Sequence, residues 1–86
     1  MPKISEFYGI SIYMYFLDHD PAHFHVKYSE YEAKFEIQNF QILSGKLPKT
    51  ALRHVLEWAF EHRNELLENW ERVQHGQKPK TIKPLE

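Results

Sequence analysis

The hydrophobic period changes once along the chain, and that change constrains the fold more than any other feature. From Met1 to about Leu43 apolar residues recur at every second position, and from Lys49 to about Gln74 they recur at three and four. A period of two turns one side of a strand toward a core, whereas a period near 3.6 turns one stripe of a helix there. Strands are therefore expected first and a helix second. Neither block hides its apolar side alone, so the two are expected to pack together as an α+β domain. The expected architecture is a three- to four-stranded, mostly antiparallel sheet with one long C-terminal helix across its apolar face.

The strands follow from alternation. Ile10, Ile12, Met14 and Phe16 alternate with Gly9, Ser11, Tyr13 and Tyr15, which places the aliphatic side inward. The turn formers Asp18 to Pro21 separate this strand from the next. In the second strand Phe24, Val26 and Tyr28 share one face, and His23, His25 and Lys27 share the other. A two-residue turn at Ser29-Glu30 sets Lys27 opposite Glu32 and His23 opposite Glu36 in the third strand. A short fourth strand is expected around Phe40 to Leu43, ending at Ser44-Gly45.

Pro48 suits the first turn of the helix, and Gly76 suits its end. Residues 1–76 are expected to form one domain, and residues 77–86 a loose tail with two prolines, three lysines and few apolar anchors. A straight helix over residues 49–74 measures about 39 Å, against about 20 Å for a six-residue strand. The helix should overhang its sheet. Its outer end, carrying Leu66, Leu67, Trp70 and Val73, then needs either a bend or a partner, and a small cognate protein or a second copy is the expected cover.

Composition narrows the function classes. With 42% hydrophobic and 27% charged residues the 86-residue chain is of ordinary globular composition. Zero cysteines exclude disulfides and thiolate metal sites. No apolar run reaches the length of a membrane span and the first residues lack a signal-like apolar region, so a cytoplasmic protein without membrane contact is expected. A net charge of −1 provides no global field for nucleic acid.

Chemistry concentrates between Asp18 and His25. Asp18, His19, Asp20, His23 and His25 fall within eight positions, and three of the six histidines fall within seven. On a strand, His23 and His25 point to one side about 7 Å apart, a spacing from which both reach one ion. Asp18 or Asp20 would supply an oxygen ligand, making an open zinc or iron site. The same imidazoles, with pKa values ordinarily near neutral, also suit acid and base roles without a metal. The blander alternative is an H-x-H pair balanced by Glu36 and Glu32 across the strands. Lys27, Tyr13 and Tyr15 are expected on the same solvated face, offering a cation and flat rings for RNA. Both catalytic readings require His23 and His25 to lie on the wet side of the sheet. His54, His62 and His75 are read as surface residues of the helix.

The segments PKISEFYGISIYMYF, DHDPAHFH and LPKTALRHVLEWAFEHRNELLENW resemble the small bacterial family known as domain of unknown function 4160. Its pattern joins P-x-I-S-x-F-Y-G-I, a D-H-x-P-P-H-F-H loop and a W-A-x-x-H-x-x-E-L-x-x-N-W helix. Pro2, Ile4, Ser5, Phe7, Tyr8, Gly9 and Ile10 match the first part. Asp18, His19, Pro21, His23, Phe24 and His25 match the second, with Ala22 in place of its second proline. Trp58, Ala59, His62, Glu65, Leu66, Asn69 and Trp70 match the third. The resemblance implies a gene neighbourhood like that of toxin and antitoxin pairs. The first expectation is thus a toxin-like component acting on RNA, with His23, His25, His19 and Asp18 as catalytic candidates and Lys27, Tyr13 and Tyr15 holding substrate. The alternatives are a non-enzymatic adaptor or antitoxin-like subunit, and a metal-binding domain built on the D-H-x-P-x-H-F-H loop.

Overall fold

The computed structural model describes residues 2–86, so Met1 of the expected 1–76 domain lies outside the described residues. Five strands precede two helices: β1 (Lys3–Phe7), β2 (Ile10–Tyr13), β3 (His23–Tyr28), β4 (Tyr31–Glu36), β5 (Ile42–Gly45), α1 (Lys49–Glu61) and α2 (Arg63–Gln74). The strands form one antiparallel sheet in sequence order. The α+β class holds, but the sheet has one more strand than the upper expectation and the helix is two helices.

The added strand is β1. Tyr8 and Gly9 both have positive φ, 50° and 76°, the geometry of a mirror-image two-residue turn that follows the twist of a hairpin. Phe7 thereby pairs with Ile10. A register shift between Lys3 and Ser5 interrupts the alternation of β1, leaving Ile4 and Ser5 both buried, so the strand has no clean period of two. Strand β2 ends at Tyr13, and Phe16 is exposed rather than inward as expected.

The β3–β4 register agrees with the expected one: His23 faces Glu36 and Lys27 faces Glu32 across a turn at Ser29-Glu30. The last strand, β5, sits two residues later than expected. Gly45 closes it at φ 80°, where a Cβ would lie 2.0 Å from the Glu32 carbonyl oxygen, so no larger residue fits.

The inner face carries Ile10, Ile12, Met14, Phe24, Val26 and Phe35, on which α1 lays Val55, Trp58 and Ala59. The Trp58 ring lies 5.4 Å from Phe7 and 6.0 Å from Phe24, centroid to centroid.

At His62 the backbone departs to φ −120°, ψ 26°, and its N–H bonds Ala59 instead of continuing the helix. The expected overhang is therefore resolved by a break. Leu66, Trp70 and Val73 are buried in the domain's own core, which corrects their assignment to a partner interface. Only Leu67, 41% exposed, remains outside. The longest Cα extent is 33 Å, shorter than a straight helix of that length would require.

Residues 77–86 are also corrected from a loose tail to a docked strap. Ile82 is buried and donates its N–H to the Ile4 carbonyl at 2.7 Å, covering the edge of β1. Asn69 holds Lys80 twice, at 2.8 and 2.9 Å, and Trp58 Nε1 donates to the Lys83 carbonyl at 2.9 Å. No helix among the described residues is long and apolar enough to cross a membrane.

Candidate metal centre

Between β2 and β3 the chain leaves the sheet and runs beside the end of α2. Leu17, at φ 54°, donates its N–H to the Val73 carbonyl at 3.0 Å, and Gln74 Nε2 donates to the Asp18 carbonyl at 2.7 Å. Two helix residues thus fix the backbone on both sides of the Leu17–Asp18 peptide. The loop continues through a cis Asp20–Pro21 peptide into β3.

The Asp18 carboxylate is aimed at β3. Its Oδ2 lies 2.9 Å from His23 Nε2 and 3.2 Å from His25 Nε2, and its Oδ1 accepts the His19 backbone N–H at 2.9 Å. One ligand atom from each of Asp18, His23 and His25 lies within 4.8 Å of the other two. Strand alternation brings the two imidazoles to one side, as expected, with ring centroids 5.0 Å apart.

The two histidines differ in exposure, which corrects the expectation that both are solvated. His25 keeps 19% of its side chain exposed, stacked on Tyr15 at 4.1 Å. His23 is 1% exposed, with Trp70 5.1 Å from its ring. The sheet face is wet only away from the loop, because the loop and Trp70 close over its end at His23. His23 therefore fails the solvation that both catalytic readings require, so it is not placed to act as a direct acid or base, and only His25 of the pair is open to solvent.

The hydrogen bonds of His23 define its role. Its Nδ1 lies 2.6 Å from the Pro21 carbonyl, which only accepts, so Nδ1 carries a proton. In the neutral ring Nε2 then presents a lone pair, and it faces a carboxylate oxygen that also only accepts. A second proton or a metal cation between them satisfies both. A backbone carbonyl holding the far nitrogen of a histidine is the usual outer support of a metal ligand, since it fixes tautomer and ring orientation together.

Electrostatics point the same way. Partial burial pushes the Asp18 carboxyl up, but hydrogen bonds from His25 and the His19 backbone, with the nearby His23, outweigh it and hold the group below its ordinary range. Burial lowers the His25 imidazole against the opposing hydrogen bond to Asp18. The set presents a carboxylate and a nitrogen that readily gives up its proton, as metal ligation demands.

The other expected residues divide. Tyr13 pairs with His25 across β2–β3, and the Lys27 ammonium sits 5.7 Å over the Tyr13 ring, so Tyr13, Tyr15 and Lys27 do border His25. His19 turns outward, 83% exposed, with Nδ1 3.6 Å from Asp18 Oδ1. Asp20 is exposed, leaving Asp18 as the carboxylate of the set. Glu32 and Glu36 make no ion pair with either histidine among the described residues. Pro21, Trp70 and Gln74 hold the site and were not anticipated as doing so, because they act through a backbone carbonyl, a ring face and a contact 56 residues away in sequence.

Comparison with curated proteins and with solved structures gave no match. Residues 9–71 match a protein family that carries the description Domain of unknown function (DUF4160). The matched stretch takes in the Asp18–His25 loop, both strands that flank it and the helical segment with Trp58, Asn69 and Trp70, and by that match the chain belongs to this family.

Proposed function

We propose that the chain is a metal-binding domain in which Asp18, His23 and His25 hold one first-row divalent ion, zinc or iron(II), with part of its coordination sphere open. The observation that carries this reading is the convergence of His23 Nε2 and His25 Nε2 on one Asp18 carboxylate oxygen, with the Pro21 carbonyl holding His23 Nδ1 so that Nε2 is the nitrogen an ion would take in place of a proton shared with Asp18. The separations of 2.9 and 3.2 Å from Asp18 Oδ2 suit neighbouring ligands about 2.1 Å from a common ion, and the whole set, within 4.8 Å, would draw in to about 4.2 Å or less around it. Two imidazoles and one carboxylate are the ligand set of open zinc and non-haem iron sites. Elemental analysis of protein purified without a histidine tag tests it. About one ion per chain is expected, falling below a tenth in Asp18→Ala; metal-free protein after incubation with zinc and with iron(II) would refute it.

A second reading, hydrolysis of RNA by a toxin-like component, is supported by what borders the half-open side of His25. An ion held by Asp18, His23 and His25 would supply an acidified water and polarise a phosphoryl oxygen. Lys27 and the rings of Tyr13 and Tyr15 offer a cation and stacking surface beside it. Expression of the chain should then arrest growth, and His23→Ala with His25→Ala should release the arrest. Equal arrest by the double variant would remove these residues from the activity.

A further inference from the structure

The apolar stripe of helix α1 is wider than the core covers. Its inner side is consumed by the core, while Leu52, Leu56 and Phe60, at successive intervals of four, run along an outer groove of about 680 Å³ that Phe40 closes at one side. Phe60 is 73% exposed. Beside this stripe, also at intervals of four, lie Lys49, Arg53, Glu57 and Glu61. Two cations are thus followed by two anions along one line of about 18 Å. Among the described residues none of the four makes an ion pair within the chain, although other surface charges do.

We propose that this face binds a second copy of the chain, α1 against α1 in antiparallel two-fold symmetry. The charge order selects both occupant and orientation. A two-fold axis facing the middle of the line, near Val55 and Leu56, sets Lys49 against the partner's Glu61 and Arg53 against the partner's Glu57. The apolar stripe centres one residue further on, at Leu56, a rise of about 1.5 Å, so the same arrangement brings Leu56 beside the partner's Leu56 and Leu52 beside the partner's Phe60. A parallel arrangement would set like charges together instead. An interface in which one patch meets its own copy needs this self-complementarity, and a line reading plus, plus, minus, minus provides it without any other protein. Apolar contact supplies the affinity and the charges supply the orientation. The strap starts at the β1 edge and its end, Lys83 to Glu86, borders Glu57 and Glu61 on their far side, while no strap residue lines the groove of Leu52, Leu56 and Phe60.

Sedimentation equilibrium over one to several hundred micromolar tests the proposal. The full chain should approach twice its 10.4 kDa. Leu56→Glu should remain monomeric with unchanged circular dichroism. Arg53→Glu should weaken association about tenfold or more, because it places like charges across the axis twice, and Arg53→Glu with Glu57→Arg should restore it. The restored double variant also answers any objection that Arg53→Glu misfolds. A monomer at every concentration, dimers that persist in Leu56→Glu, or a double variant that stays as weak as Arg53→Glu would each overturn the proposal.

Discussion

Helices α1 and α2 carry apolar residues at the same spacing, in one unbroken pattern, yet they spend them differently. In α1 the core uses Val55, Trp58 and Ala59 and leaves a second stripe incompletely covered, with Leu52 and Leu56 partly buried and Phe60 exposed. In α2 the core uses Leu66, Trp70 and Val73, and what remains is mostly polar. The lesson concerns the break at His62. It lets α2 turn Leu66, Trp70 and Val73 inward at the sheet's end, where Trp70, Val73 and Gln74 also hold the Asp18 loop. The helix that the sequence assigned to a partner builds the candidate site, and the helix that was expected simply to cover the sheet is the one with a face to spare.

The largest test of this contrast is Trp70→Ala. A tryptophan in a domain's own core costs about 3–5 kcal/mol when truncated, whereas one at the surface of a free chain costs little. Urea unfolding of the dilute protein should show the large loss, and Leu67→Ala, its exposed neighbour, should stay within about 0.5 kcal/mol. Equal effects at the two positions would break the account of α2.

Asn69→Ala sharpens the comparison further along α2. The side chain bonds Lys80 through both its oxygen and its amide, and its loss leaves two groups of the strap without those partners. A cost of about 1–3 kcal/mol is expected. Hydrogen exchange at the Ile82 amide should accelerate with it, since the strap then lifts from β1.

Gln74→Ala is expected to act on the site more than on the fold. The hydrogen bond to the Asp18 carbonyl is worth about 1 kcal/mol, but the displaced carboxylate should weaken zinc binding about tenfold. Calorimetric titration of the variant against the parent protein reads this directly.

The smallest effect is in the pH dependence of the metal-free domain. Burial lowers the His25 imidazole below its ordinary 6.5. The unfolded chain therefore takes up that proton at higher pH than the folded one, so stability is fully present above about 6.5 and is lost as pH falls through the folded value. Asp18, held below its ordinary 3.8, adds a loss of the same sign further down. His25→Gln should flatten the upper part of the acid limb measured by thermal unfolding and also shrink the lower part, because the hydrogen bond from His25 is the foremost of the interactions that hold Asp18 low.

What the sequence revealed follows from how local each feature is. Ile10 to Met14, Phe24 to Tyr28 and Tyr31 to Glu36 announced themselves because alternation and a two-residue turn are decided by neighbours, and the β3–β4 register followed. The outer helix bounds, at Lys49 and Gln74, were legible for the same reason. Strand β1 was not, because a register shift spoils its period and Gly9 was absorbed into the next strand. The break at His62 was not, because it has neither glycine nor proline and the buried spacing runs straight through it. Asp18, His23 and His25 stood out as a cluster of types. The burial of His23 did not, since it depends on Trp70 arriving from a helix whose direction only the tertiary fold decides.

The central claim is that an ion sits between Nε2 of His23, Nε2 of His25 and the Asp18 carboxylate while Nδ1 of His23 keeps its proton. Nitrogen NMR of the imidazole rings during titration with zinc addresses all of it in one experiment. The account predicts that both Nε2 resonances move to metal-bound positions at one equivalent and that His23 Nδ1 stays protonated throughout. Ring nitrogens of His23 and His25 that do not respond to zinc, or a His23 that gives up its Nδ1 proton instead, would contradict it.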